Sequence, residues 1–207
     1  MSPTRIKICG LTRRTDLDAA VRLGADAIGL VFYPPSPRYV DLALAAELAG
    51  RVPPFVTRVG LFVNAEAAVV RATLAEVPLD MLQFHGDETA EYCHQFGLPY
   101  LKAARMQAGL DLVEYAASYP TARALLLDAF VEGYGGGGQC FDWSLIPRQL
   151  ALPIILSGGL TAENVGEAVR QVRPSAVDVS SGVESAKGIK DVQKMAQFIA
   201  GVRNADV

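Results

Sequence analysis

Cys9, His85, Asp128 and Ser180 are the residues of this chain best placed to do chemistry, because each closes a short apolar run. A thiol can act as nucleophile or base, an imidazole moves protons near neutrality, and a carboxyl serves as acid or base when its surroundings are tuned. Lys7, Gln83 and Asp178 precede Cys9, His85 and Ser180 by two positions. Side chains alternate along a strand, so residues two apart share a face. Lys7 with Cys9, Gln83 with His85, and Asp178 with Ser180 therefore point the same way, as do Arg5, Met81 and Leu126. The intervening Ile6, Ile8, Leu82, Phe84, Leu125, Leu127, Val177 and Val179 point the other way. Burying so many polar groups is costly unless they pair or react. Lys7 and Asp178 also suit a structural ion pair.

Two glycine segments follow late apolar runs: Ser157-Gly158-Gly159-Leu160 and Ser180-Ser181-Gly182-Val183. Glycine lets backbone N–H groups approach an anion, and a helix N-terminus completes such a site. Gly158, Gly159, Ser180, Ser181 and Gly182 are thus candidates to hold a phosphate. A third segment, Gly133-Tyr134-Gly135-Gly136-Gly137-Gly138, matches GxGxxG. It follows the sixth apolar run, whereas a dinucleotide fingerprint opens a helix directly after the first strand of its unit. A loop covering the substrate is the better reading.

The elements that must position these groups alternate from end to end. Strands are expected at 5–9, 27–32, 57–63, 81–85, 100–103, 124–128, 154–157 and 177–180, each followed by an amphipathic stretch that reads as a helix. Thr15 precedes a helix over 16–23 ended by Gly24, Asp41 opens one running to Gly50, and Thr161 opens 162–172, with Pro174 beyond. Eight such units predict an α/β fold, a single compact (β/α)₈ TIM barrel spanning 1–207, in preference to an open doubly wound sheet. That fold carries its active site at the C-terminal ends of the strands and often binds phosphate after strands seven and eight.

Composition narrows the function further. The 207 residues are 51% hydrophobic and 20% charged, with net charge −3 and no basic stripe, so no nucleic-acid partner is expected. No apolar run is long enough for a membrane span, the opening residues lack a targeting segment, and the cytoplasm is the expected compartment. Cys9, Cys93 and Cys140 lie far apart and share no ligand spacing with His85 or His94, so neither zinc nor disulfides are expected. Cys93 reads as a small buried hydrophobe, and Cys140 receives no role.

Lys7-Ile8-Cys9-Gly10-Leu11-Thr12 resembles the opening motif of the phosphoribosylanthranilate isomerase family. The same holds for Ser36-Pro37-Arg38-Tyr39, Leu82-Gln83-Phe84-His85-Gly86, Leu127-Asp128-Ala129, Phe141-Asp142-Trp143, Leu156-Ser157-Gly158-Gly159-Leu160 and the stretch from Val177 to Glu184. These motifs cover nearly the whole chain in order. Where the family usually carries Thr or Ser near Gly137, this chain is all glycine. The resemblance implies an Amadori rearrangement of N-(5′-phosphoribosyl)anthranilate in tryptophan biosynthesis, with no metal or other cofactor. It implies Asp128 as general acid and Cys9 as general base, with the Lys7 ammonium raising the thiolate fraction. Arg38, whose fork matches a carboxylate, would hold the anthranilate carboxylate, and Gly158, Gly159, Ser180, Ser181 and Gly182 the 5′-phosphate. Gln83, His85 and Asp178 would orient the substrate or support the acid–base pair. Two other readings remain at this point: a metal-dependent pentose-phosphate epimerase, and a phosphate-binding barrel without catalysis.

Overall fold

A computed structural model describes residues 3–107, 109–129 and 140–206. Eight parallel strands close into a barrel in sequence order: β1 (Arg5–Cys9), β2 (Ala27–Val31), β3 (Thr57–Phe62), β4 (Met81–Phe84), β5 (Tyr100–Met106), β6 (Ala124–Ala129), β7 (Ile154–Leu156) and β8 (Ala176–Val179). β1 pairs with β8 in a register that sets Lys7 beside Asp178, and this contact closes the cylinder.

The strands alternate as the apolar pattern requires. Ile6, Ile8, Leu82, Phe84, Val177 and Val179 are buried in one core with helix residues such as Leu17, Leu48 and Phe198. Leu125 and Leu127 pack on Leu112 and Ala116. Inside the cylinder Val59, Leu101, Ala103, Leu126 and Ile155 form an apolar plug, with Met81 against it. The plug fills the lower barrel, so polar inward positions gather above it. Arg5 departs from this pattern. It lies at the open lower rim, where its exposed side chain pairs with Asp26 at 2.8 Å.

Among the described residues the helices are α1 (Arg14–Leu23), α2 (Leu42–Gly50), α3 (Ala67–Glu76), α4 (Ala90–His94), α5 (Leu112–Ala117), α6 (Val165–Val172) and α7 (Val192–Ala205). Asp41 caps α2 by accepting from the Leu44 N–H at 2.8 Å. Gly24 ends α1 in the left-handed region at φ 97°, as expected, but Thr15 lies inside that helix rather than before it. α6 starts three residues later than expected. Asn164 accepts from the Thr161 N–H at 2.8 Å and donates to the Gly159 carbonyl at 3.0 Å, which holds 161–164 as a loop wall instead of helix.

Over its described residues the sixth connection departs from the expectation of a helix after every strand. Among the described residues it holds only a 3₁₀ turn, Trp143–Leu145, whose start is capped by Asp142 and which stops before Pro147. The glycine run at 133–138 falls outside the described residues. After β8 comes an element the periodicity did not announce: a 3₁₀ turn (Ser181–Val183) and a short antiparallel hairpin of β9 (Glu184–Ala186) and β10 (Ile189–Lys190). Among the described residues no helix is long and apolar enough to cross a membrane.

Candidate active site

A cavity of about 300 Å³ opens at the C-terminal end of the barrel, bordered by Cys9, Arg38, Gln83, His85, Asp128, Asp178 and the loops after β7 and β8. The inward-facing positions therefore converge as alternation requires.

Cys9 ends β1 and is buried. Its register partner on β2 is Gly29, where a Cβ would stand 2.7 Å from the Cys9 sulfur. Only glycine leaves the thiol room. One layer below, the Lys7 ammonium meets Asp178 at 2.8 Å, with both side chains almost fully buried. Burial pulls Lys7 down, but Asp178 and Cys9 outweigh it and hold the lysine above its ordinary pKa. Burial likewise pushes the Cys9 thiol up, and Asp178 adds to the push; Lys7 and Lys190 oppose it without prevailing. The expected help from Lys7 is thus present, and desolvation exceeds it in the free protein.

Across the barrel mouth, Gln83, His85 and Asp128 form a chain. The Gln83 amide nitrogen lies 2.9 Å from His85 Nδ1, and His85 Nε2 lies 3.0 Å from Asp128 Oδ2. With the amide donating, Nδ1 accepts and Nε2 carries the ring proton toward Asp128 Oδ2. The Ala129 N–H donates to Asp128 Oδ1 at 3.0 Å. Both oxygens of Asp128 are thereby oriented. Gln83 Oε1 is buried and has no hydrogen-bond partner among the described residues. β5 runs to Met106, three residues past its expected end, and its register sets Arg105 beside Asp128. Arg105 reaches Asp87 at 3.0 Å.

The two glycine loops meet beside Asp128, where a Cβ at Gly158 would come within 3.0 Å of its Oδ1. Gly158 and Gly159 adopt φ of 78° and 64°, where other residues are strained. At Gly182 a Cβ would lie 1.9 Å from the Leu160 carbonyl oxygen, so the loops touch through their backbones. Ser157, Gly158, Gly159, Ser180, Ser181 and Gly182 all line the cavity here, and segments of this kind can offer backbone N–H groups and hydroxyls to an anion.

Arg38 sits between this wall and Cys9. Its stem passes over Gly10, where a Cβ would come within 2.5 Å of the arginine Cδ. Its guanidinium donates through Nε and Nη2 to the two oxygens of Glu184, at 2.7 and 2.8 Å. Lys190 donates to the same carboxylate at 2.9 Å, and to the Ser180 carbonyl and hydroxyl at 3.1 and 3.3 Å. Neither Glu184 nor Lys190 was singled out by sequence reasoning. The contact of Arg38 with Glu184 spans 146 positions, a separation that no local pattern reveals. Among the described residues no three His, Cys, Asp or Glu side chains cluster as a metal site.

The family profile described as N-(5′-phosphoribosyl)anthranilate (PRA) isomerase matches residues 6–201. The chain is 68% identical over 203 residues to the N-(5′-phosphoribosyl)anthranilate isomerase of Dechloromonas aromatica, covering 98% of each. It is 57% identical over 205 residues to the enzyme of the same name from Pseudomonas aeruginosa, covering 99% of this chain and 97% of that one. Among solved structures it resembles phosphoribosyl anthranilate isomerase from Thermotoga maritima, with TM-score 0.89 and 40% identity over 97% of this chain and 99% of that one. A phosphoribosyl anthranilate isomerase in complex with reduced 1-(o-carboxyphenylamino)-1-deoxyribulose 5-phosphate aligns with TM-score 0.84 at 38% identity, over 97% and 99% of the two chains.

Proposed function

Because this chain belongs to the N-(5′-phosphoribosyl)anthranilate isomerase family and is an isomerase of tryptophan biosynthesis, we propose that Cys9 and Asp128 carry out its chemistry as general base and general acid. The observation that carries this is their common border on one cavity, from strands on different sides of the barrel. The substrate anions are assigned to the remaining walls: the 5′-phosphate to Gly158, Gly159, Ser180, Ser181 and Gly182, and the anthranilate carboxylate to Arg38. The relative solved with a ribulose-phosphate product analogue supports a phosphorylated ligand in such a cavity.

The reaction then runs in balanced steps. Asp128 gives its proton to the furanose ring oxygen. The bond from that oxygen to C1′ breaks, and the anilino nitrogen lone pair forms an iminium at C1′. The Cys9 thiolate removes the C2′ proton, and the freed electron pair makes the C1′–C2′ double bond while neutralising the iminium. The resulting enolamine loses its C2′ hydroxyl proton and gains one at C1′, giving the 2-keto sugar. His85 holds Asp128 aimed at the ring oxygen, and Gln83 holds His85. Asp178 keeps Lys7 below Cys9. The iminium itself favours the thiolate, since a nearby cation favours an anion. This opposes the burial that pushes the Cys9 thiol up in the free protein, and the thiol gives its proton to solvent before C2′ is attacked.

We read the chain as one catalytic barrel in a reducing cytoplasm, a reading its three unpaired cysteines support. Steady-state turnover of N-(5′-phosphoribosyl)anthranilate tests the assignment. Cys9→Ala and Asp128→Asn are each expected to lower kcat by about 10²-fold or more, the usual worth of a positioned acid or base. A variant retaining near wild-type kcat removes that residue from its role. Arg38→Met is expected to raise KM; an unchanged KM removes Arg38 from the carboxylate subsite.

A further inference from the structure

Two buried charges beside the cavity have no part in the steps above. Glu184 opens β9 and Lys190 closes β10, and their side chains are 6% and 0% exposed. Burying charge is costly, and an apolar hairpin would anchor this loop as well. Their contacts point to a more specific task.

A guanidinium presents its N–H groups along two usable edges. Glu184 takes the Nε/Nη2 edge of Arg38 with both oxygens. Among the described residues no hydrogen bond engages Nη1, and Arg38 borders the cavity, so its Nη1/Nη2 edge can receive an incoming carboxylate. Glu184 thus fixes the direction in which Arg38 can bind and holds an otherwise flexible side chain in that direction before substrate arrives. Lys190 then ties the Glu184 carboxylate to Ser180, the first residue of the β8 phosphate loop. The hairpin is itself held from behind. The Lys190 N–H donates to Asp16 at 2.9 Å, the Lys194 ammonium to the Glu184 carbonyl at 2.8 Å, and the Thr12 hydroxyl to the Gly188 carbonyl at 2.6 Å.

The geometry points to Glu184 and Lys190 as a positioning pair that sets the spacing between the carboxylate and phosphate subsites. Glu184 aims Arg38, and Lys190 locks that aim to the phosphate loop. The inference rests on Arg38 taking the substrate carboxylate. Its consequence is selectivity: the free site is prepared for a ligand bearing both anions at one separation, and a pentose phosphate lacking the aromatic acid gains nothing from the pair.

Steady-state kinetics of Glu184→Gln, Arg38→Met and the double variant in the full-length protein test this, with inorganic phosphate affinity and thermal unfolding measured alongside. Glu184→Gln is expected to raise KM for phosphoribosylanthranilate about tenfold with a much smaller change in kcat, since it weakens a charge-assisted bidentate pair. Its phosphate affinity is expected to change far less. In the double variant the Glu184 substitution should add almost nothing to Arg38→Met, because one effect acts through the other. Glu184→Asp, which keeps the charge but shortens the reach, should fall between wild type and Gln, and it provides the reading if the Gln variant does not fold. A Glu184→Gln enzyme with KM within about twofold of wild type, or effects that add fully in the double variant, overturns the inference. Arg38→Met that raises KM while Glu184→Gln does not overturns the pairing alone. Arg38→Met without effect overturns the carboxylate assignment beneath it.

Discussion

At Cys9 two influences oppose each other. Burial and the Asp178 carboxylate favour the neutral thiol, while the Lys7 and Lys190 ammonium groups favour the thiolate, and burial prevails. The rate of Cys9 alkylation by iodoacetamide follows the thiolate fraction. Its midpoint in pH should lie above that of an ordinary cysteine. Lys7→Met, by removing a nearby cation, should move it further alkaline, and Asp178→Asn, by removing an anion, should move it back. Movement in the opposite direction in either variant contradicts the electrostatic account. The inward placement of Cys9, His85, Asp128 and Asp178 was legible because apolar residues flank each of them at the strand period. Glu184 and Lys190 were not legible: they act through Arg38 and Ser180, contacts that depend on the closed barrel rather than on spacing along the chain.

The catalytic end is shaped by connections, and these were read less well than the strands. α2 begins where Asp41 implied, because the cap is local chemistry. α6 begins late, because Thr161 and Asn164 bond to the loop instead of continuing a helix. The β9–β10 hairpin escaped notice because strands of three and two residues carry no periodicity. Two substitutions separate structural from binding roles at this scale. Asp41→Ala should cost about 1 kcal/mol of stability by loss of the cap, read as a lower midpoint in urea, with KM unchanged. Gly182→Ala forces a methyl group to within 1.9 Å of the Leu160 carbonyl. It must push the β7 and β8 loops apart, costing about 1–3 kcal/mol of stability and raising KM through the phosphate.

Across the whole molecule, the Lys7–Asp178 pair lies on the seam where the last strand meets the first. It supports the site from below and closes the barrel. Lys7→Met alone leaves a buried carboxylate without its partner and should cost about 3–5 kcal/mol. Adding Asp178→Leu should recover much of that stability, though not the activity, which urea denaturation and turnover measured together would show. Eight repeats of strand and connection, readable from the alternation of apolar runs with amphipathic stretches, placed an apolar plug below and polar tips above. Among the described residues the sixth connection breaks the repeat, holding a 3₁₀ turn in place of a helix.

The central claim is a division of labour: Asp128 opens the ring, and Cys9 then takes the C2′ proton. Substrate carrying deuterium at C2′ separates these steps through the primary isotope effect on kcat/KM in wild type, Cys9→Ser and Asp128→Asn. The account predicts a larger isotope effect in Cys9→Ser, where proton abstraction is slowed. It predicts a smaller or absent effect in Asp128→Asn, where ring opening limits the rate. An effect that grows in Asp128→Asn, or that disappears in Cys9→Ser, would contradict the assignment of acid and base.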